Sequence, residues 1–203
     1  MDKIKLLFAT TNRNKVKEIS ALVLDAPITF ISLNDIASIP PVEENGVTFS
    51  ENALKKASFA AKHTKMIAVS DDSGLVIPFL NNEPGIHSSR FGGEDLPYDR
   101  KMAIILDRMK SAEPNERHAY FACAIACVAP NGKTITTEAK CHGTIALAPS
   151  GKLGFGYDPI FIPNDYNETM AELPIEMKNA ISHRGQAFRK LIEQLPDFLK
   201  QKT

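Results

Sequence analysis

With 203 residues, 43% of them hydrophobic and 24% charged, the chain has the size and composition of a globular protein able to bury a sizeable core as one domain or two tightly joined lobes. Its 24 basic and 24 acidic residues cancel to a formal net charge of zero, which argues against a protein built to bind the nucleic-acid backbone but leaves room for a nucleotide, which needs only a local cationic cluster. No apolar run is long enough to span a bilayer and the N-terminal apolar stretch is too short for a signal peptide, so a cytoplasmic address is expected.

Lys5 to Ala9 reads as a short strand, followed at once by Thr10, Thr11, Asn12, Arg13, Asn14 and Lys15. A helical pattern then places Val16, Ile19, Leu22 and Val23 on one face, with Asn12 positioned to cap it. A strand feeding a helix through a polar turn makes an anion site: the first backbone N–H groups are expected to be unpaired, the helix dipole is positive there, and Lys15 adds a full charge. The glycines of a Walker loop are missing, and the same residues also suit a plain capped helix with a solvated lysine.

Ile28 to Leu33 reads as a second strand and Ser38 to Gly46 as a loop with two prolines and two acids, Glu43 and Glu44. Thr48 to Glu51 carries a capping-box signature that opens the next helix. There Ala53, Ala57 and Ala61 form a small-residue stripe, while Asn52 and Lys56, four apart, share a face. Small residues let a helix sit close to a sheet, so Lys56 is expected to reach the end of the strand that follows.

That strand, Met66 to Val69, is expected to end in a turn at Ser70, Asp71, Asp72, Ser73 and Gly74. Two carboxylates at a buried strand end need a metal ion, a lysine or a proton. Adjacent strand residues point to opposite faces, so only one of the pair can serve a given site; Asp72 is expected to be the reacting carboxylate and Asp71 its neighbour.

Leu75 to Phe79 reads as a strand broken at Pro78, Asn81 to Asp95 as loops around Arg90, and Tyr98 to Lys110 as a helix with Met102, Ile105, Leu106 and Met109 inward. His118 to Ala129 and Lys133 to Ile145 flank Pro130, Asn131 and Gly132, a strong hairpin signal, and these long strands are expected to form a second lobe. Cys123, Cys127 and Cys141 lack metal-knuckle spacing and read as buried free thiols.

In Gly151 to Ile162, Gly154 and Gly156 permit unusual backbone angles around Phe155, and Phe155 and Tyr157 offer flat faces on which a base could stack. Asp158 precedes a proline, so its backbone is expected to be extended. Ser182 can cap the last helix, which buries Ala187, Phe188, Leu191, Ile192 and Leu195 and leaves His183 and Arg184 in its first turn, where a base or phosphate could be read.

Six segments in order resemble the inosine triphosphate pyrophosphatase family: ATTNRNK from Ala9, EENGVTFSENALKKA from Glu43, SDDSGL from Ser70, PGIHSSRFGGE from Pro84, GFGYDPIF from Gly154 and KNAISHR from Lys178. One departure is Ala139, four residues before Gly143, where family members often carry glycine; it lies outside the expected site. The resemblance covers residues 1–203 as a single domain of two lobes. It implies an α/β fold, an elongated mixed sheet flanked by helices with two lobes enclosing a nucleotide cleft, usually as a homodimer.

The implied reaction is the hydrolysis of deaminated purine nucleoside triphosphates (ITP, dITP, XTP) to the monophosphate and pyrophosphate, with magnesium. The implied roles put Thr10, Asn12 and Lys15 on the triphosphate, within a binding segment that includes Thr11, Arg13 and Asn14. Glu44 and Asp72 would hold magnesium, Asp72 also acting as base, with Lys56 on the phosphates beside them. Ser73 would touch substrate, Phe155 would stack on the base in a pocket shaped by Gly156, Tyr157 and Asp158, and Lys178, His183 and Arg184 would read the purine edge. Three rivals are a pyrophosphatase of the septum-formation-inhibitor type acting on other nucleotides, a nucleotide-binding regulator without turnover, and a nucleic-acid binder. The SHR and GFGYDP segments point away from the first.

Overall fold

The computed structural model describes residues 3–23, 28–36 and 39–200; Ser38, the first residue of the expected proline loop, lies outside them. The strands are β1 (Ile4–Phe8), β2 (Ile28–Ser32), β3 (Ala68–Ile77), β4 (Glu83–Pro84), β5 (His118–Val128), β6 (Thr134–Ile145) and β7 (Phe161–Pro163). The helices are α1 (Arg13–Leu22), α2 (Phe49–Thr64), α3 (Tyr98–Arg108), α4 (Ile175–Ile181) and α5 (His183–Lys200). The sheet order is β2-β1-β3-β5-β6-β7, with β4 beside β3. β1 pairs in parallel with β2 and β3, whereas β3–β4 and β6–β7 are antiparallel, so the sheet is mixed and flanked by helices, as expected.

The chain divides into two compact units, one of Met1–Asp72, Cys123–Ala139 and Arg184–Thr203, the other of Ser73–Ala122 and Lys140–His183. The β5–β6 hairpin therefore does not make a lobe of its own. Its strands, 11 and 12 residues long, outrun either core, and the turn end belongs to the first unit while the open end belongs to the second.

In the first unit the sheet is covered on both faces, and strand alternation sorts the side chains. Leu6, Phe8, Val69, Cys123, Ile125 and Cys127 pack with Ile19 and Val23 and with Ala187, Phe188, Leu191 and Leu195 of α5. Leu7, Ala9, Ala68, Ala124, Ala126 and Val128 pack instead against Ala53, Ala57, Ala60 and Ala61 of α2. Phe8 stands level with Ser32 on one side and Val69 on the other. The polar turn after β1 and the acidic pair two residues beyond Val69 thus emerge at the same carboxyl end of the parallel strands, the usual ligand edge of such sheets. The second unit has its own core, with Leu75, Ile77, Met102, Ile105, Met109, Phe121, Ile145, Ile160 and Phe161 at its centre.

Two local expectations are corrected. β3 runs unbroken through Ser70 to Gly74, so no turn forms there and the two expected strands are one. The composition suits a turn, but helices on both faces supply partners for the acids, and the ladder continues. Asp158 opens a single 3-10 turn, Asp158–Ile160, instead of extended backbone; two hydrogen bonds to its carboxylate outweigh the steric bias before Pro159.

Candidate active site

On β3, Asp71 falls on the face shared with Val69, toward α1 and α5. Its carboxylate accepts from Lys15 Nζ at 3.0 Å and from Arg184 Nε at 3.1 Å. Arg184 also donates through Nη1 to Glu18 Oε2 at 2.6 Å. Both acids and the guanidinium are buried. Burial opposes charge on Asp71, but Lys15, Arg184 and Lys56 together hold its carboxyl well below the ordinary carboxylate range. Burial likewise opposes charge on Arg184, and Asp71 and Glu18 override it.

Asp72 falls on the opposite face, toward α2. Its Oδ2 accepts from Asn52 Nδ2 at 3.1 Å and its Oδ1 from Lys56 Nζ at 3.4 Å. The same ammonium donates to Glu44 Oε2 at 3.0 Å. Burial pushes the Asp72 carboxyl above its ordinary value; Lys56 opposes this and Glu44 adds to it, because two acids compete for one cation. Burial works against charge on Lys56, but Asp72, Glu44 and Asp71 hold it above its ordinary value. Thr48 caps α2 by accepting from Glu51 N, while Glu51 reaches back to Val47 N, one residue before the position a capping box prescribes.

In the second unit, Asp158 Oδ2 accepts from Lys178 Nζ at 2.5 Å and from Phe155 N at 2.8 Å, and the Lys178 ammonium lies 5.0 Å from the Phe155 ring centre. Gly154 is needed here: its φ is +71°, and a Cβ would stand 2.1 Å from Asp158 Oδ2. The buried Tyr157 donates its hydroxyl to Ser88 O at 2.8 Å and meets Tyr98 edge-on. His183 stacks on Phe121 at 4.8 Å and 12°. Ser73 is half-buried on β3.

A family model described as the Ham1 family matches residues 6–194. The chain belongs to the Ham1 family. It is 46% identical to a dITP/XTP pyrophosphatase of Geobacter sulfurreducens, over 94% of this chain and 96% of that protein. Among solved structures it is similar to a HAM1 protein from Coxiella burnetii, with a TM-score of 0.86, 40% identity, and 96% and 99% of the two chains covered. It is also similar to the Ham1 protein of Staphylococcus aureus, with a TM-score of 0.83, 34% identity, and 95% and 98% coverage. Family membership agrees with the sequence resemblance and lends no support to the septum-formation reading.

Within this Ham1 chain, the first unit holds two sets of ion pairs, Lys15, Asp71, Arg184 and Glu18 on one face of β3 and Glu44, Lys56 and Asp72 on the other. Phe155, Asp158 and Lys178 form the second unit's cluster, with Gly156 between Phe155 and the buried Tyr157, while His183 has its own aromatic partner. At the start of α1 the expected unpaired amides are not what the structure has. Asn12 Oδ1 accepts from Asn14 N and Lys15 N, and Asn12 N donates to Thr10 Oγ1, because a side-chain oxygen at the cap satisfies them first. Thr11, Arg13 and Asn14 are exposed. Glu18 and the tether made by Asn52 escaped the sequence reading. Glu18 looks like a surface residue of an amphipathic helix; Asn52 carried a signal in its four-residue spacing from Lys56, but its partners come from a distant loop and strand.

Among the described residues, no group of three or more His, Cys, Asp or Glu side chains gathers to hold a metal. Glu44 and Asp72, two hard oxygen donors already drawn to one cation, fit magnesium, which typically takes one or two carboxylates and fills its shell with phosphate and water.

Proposed function

We propose that this chain hydrolyses deaminated purine nucleoside triphosphates, ITP, dITP and XTP, to the nucleoside monophosphate and pyrophosphate. The observation that carries this reading is the convergence of Glu44 and Asp72 on Lys56. Binding a nucleotide needs cations; it does not need two acids held beside one. The names of relatives, such as the dITP/XTP pyrophosphatase of Geobacter sulfurreducens, support the same substrate class.

In this reading Glu44 and Asp72 hold magnesium, which when bound supplies positive charge to the phosphate oxygens. Water attacks one phosphorus while pyrophosphate leaves, so the protein must position the water and offset charge on the oxygens. Asp72 orients the water and accepts its proton. Lys15 and Lys56 compensate the charge of the leaving pyrophosphate, with Thr10, Thr11, Asn12, Arg13 and Asn14 lining the phosphate end and Ser73 adding a contact. Phe155 stacks on the base in a pocket shaped by Gly156, Tyr157 and Asp158, and Lys178, His183 and Arg184 read its edge. The protein acts as a cytoplasmic homodimer. No helix among the described residues is long and apolar enough to cross a membrane.

Base selection follows from hydrogen-bond polarity. Hypoxanthine and xanthine carry an acceptor oxygen at position 6, where adenine carries an amino donor; Lys178 and Arg184 offer donors only. A donor left unpaired in a buried site costs about 1–3 kcal/mol, or about ten- to a hundredfold in rate. Pyrophosphate release from ITP, XTP, GTP and ATP with magnesium tests the proposal. Guanine shares the 6-oxygen and is refused at position 2, where it carries an amino group, so fast release from ITP and XTP alone is expected. Comparable release from GTP would overturn the selectivity, and slow release from all four would favour a stoichiometric nucleotide binder.

A further inference from the structure

We infer that Asn52 is a positioning residue for the reaction: its amide ties the loop carrying Glu44 to the Asp72 carboxylate, so that both acids face one point beside Lys56. This deepens the proposed function and rests on it for the chemistry, though the tether itself is a property of the first unit alone.

Asn52 is fully buried on the first turns of α2, where an unsatisfied amide would be costly. Its Oδ1 accepts from Gly46 N at 2.8 Å and its Nδ2 donates to Asp72 Oδ2 at 3.1 Å. One partner can only donate and the other, a carboxylate, can only accept, so the pair fixes which way the amide points and requires an amide there. Aspartate could accept from Gly46 but could not donate to Asp72; leucine could do neither. The approach is as tight as the chain permits. A Cβ on Gly46 would stand 2.6 Å from Asn52 Oδ1 and 2.8 Å from Glu51 Cβ, so residue 46 is glycine for reasons of space.

The contacts close a circuit. Gly46 binds Asn52, Asn52 binds Asp72, Asp72 and Glu44 both meet Lys56, and Glu44 returns to Gly46 through one intervening residue. Lys56 lies one helical turn beyond Asn52, so a single rigid helix presents both the amide and the ammonium. With Oδ2 of Asp72 taken by Asn52, the other oxygen, Oδ1, is the one aimed at Lys56. Asn52 thereby sets the carboxylate's rotation and the loop's position together.

The test is the steady-state kinetics of pyrophosphate release from ITP for Asn52→Ala, Asn52→Asp, Gly46→Ala, Glu44→Gln and the Asn52→Ala/Glu44→Gln double variant, with amide hydrogen exchange read at Gly46. Asn52→Ala should lower kcat about ten- to a hundredfold, the scale set by losing one buried hydrogen-bond partner to a charged group, with KM nearly unchanged. Asn52→Asp should lose as much kcat while keeping Gly46 protected, which separates the arm to Asp72 from packing. Gly46→Ala should reproduce the loss from the loop side. The double variant should fall short of the product of the single effects, because both act through the Glu44 loop. Wild-type kcat in Asn52→Asp, multiplicative effects in the double variant, or unchanged exchange at Gly46 in Asn52→Ala would each overturn the inference. A wild-type protein inactive on every nucleotide would sink the proposed function instead, and the exchange at Gly46 would still decide whether the tether exists. Should Asn52→Ala fail to fold, Asn52→Asp carries the kinetic test.

Discussion

Asp71 and Asp72 are covalent neighbours whose carboxyls are shifted in opposite directions, the first held below the ordinary range by Lys15, Arg184 and Lys56 against its burial, the second raised by burial and by Glu44. Strand alternation is the cause. It turns one toward α1 and α5, where two cations, Lys15 and Arg184, meet two acids, Asp71 and Glu18, and the other toward α2, where one lysine serves two acids. Asp71 is held as a fixed charge between two cations, whereas Asp72 shares a single ammonium with Glu44.

Asp72→Asn should keep the fold, its single amide oxygen accepting from Asn52 or from Lys56 but not from both, while losing about 10²–10⁴-fold in pyrophosphate release, the range for removing a general base. Parallel melting curves and ITP kinetics check this. Full activity in the variant would transfer the role to Glu44 or Asp71.

Asp71→Asn should cost about 3–5 kcal/mol in urea unfolding, because Lys15 and Arg184 lose a shared buried counter-charge. The pH dependence follows from the depressed carboxyl. The folded state binds the proton more weakly than the unfolded chain, so the contribution is complete above the unfolded value of about 3.9 and is lost as pH falls through the lower folded value. The stability gap between wild type and variant should stay constant from neutral pH to about pH 5 and close only in stronger acid. A gap that closes between pH 7 and 6 would contradict it.

Gly154→Ala places a methyl group where Asp158 Oδ2 sits and within 2.9 Å of Lys178 Nζ, on backbone at φ +71°. The Asp158–Lys178 pair must shift. The expected result is a raised KM for ITP and a loss of about 1–3 kcal/mol in stability, while the first unit's carboxylates are untouched. Unchanged KM would separate this segment from base binding.

The three thiols should be silent in the native protein. Burial pushes Cys127 up to about 12 and Cys141 up to about 11, and raises Cys123 further with help from Asp71. A colorimetric thiol reagent at pH 8 should count none before denaturation and three after it. Prompt reaction of any one would show that its strand opens to solvent.

Local patterns carried much of this fold. The capping of α1 by Asn12 and of α2 by Thr48 and the hairpin at Gly132 follow from spacing and side-chain chemistry that act within a few residues, while the reach of Lys56 to Asp72 and the burial of all three cysteines follow from the apolar and small-residue patterns of the elements that carry them. What was not legible depends on partners far along the chain. Ser70 to Gly74 has the composition of a turn, yet it stays in the strand, where its acids meet cations that come from α1, α2 and α5. Glu18 meets Arg184 across 166 positions, and nothing near Glu18 announces it. The extended backbone expected for Asp158 fails for the same reason, since Lys178 lies 20 positions away.

The alanines of α2 set the distance between Lys56 and Asp72. Ala53, Ala57, Ala60 and Ala61 are buried against the sheet, so the helix axis rides at the height of a methyl group, and Lys56 departs from that height. Enlarging Ala57 to valine would lift the whole platform, and overpacking of that kind costs about 1–3 kcal/mol. The lysine would then be carried away from Asp72 although no reactive group had been altered. The helix therefore works as a calibrated spacer, and the side packed on the sheet sets the reach of the ammonium that meets Glu44 and Asp72.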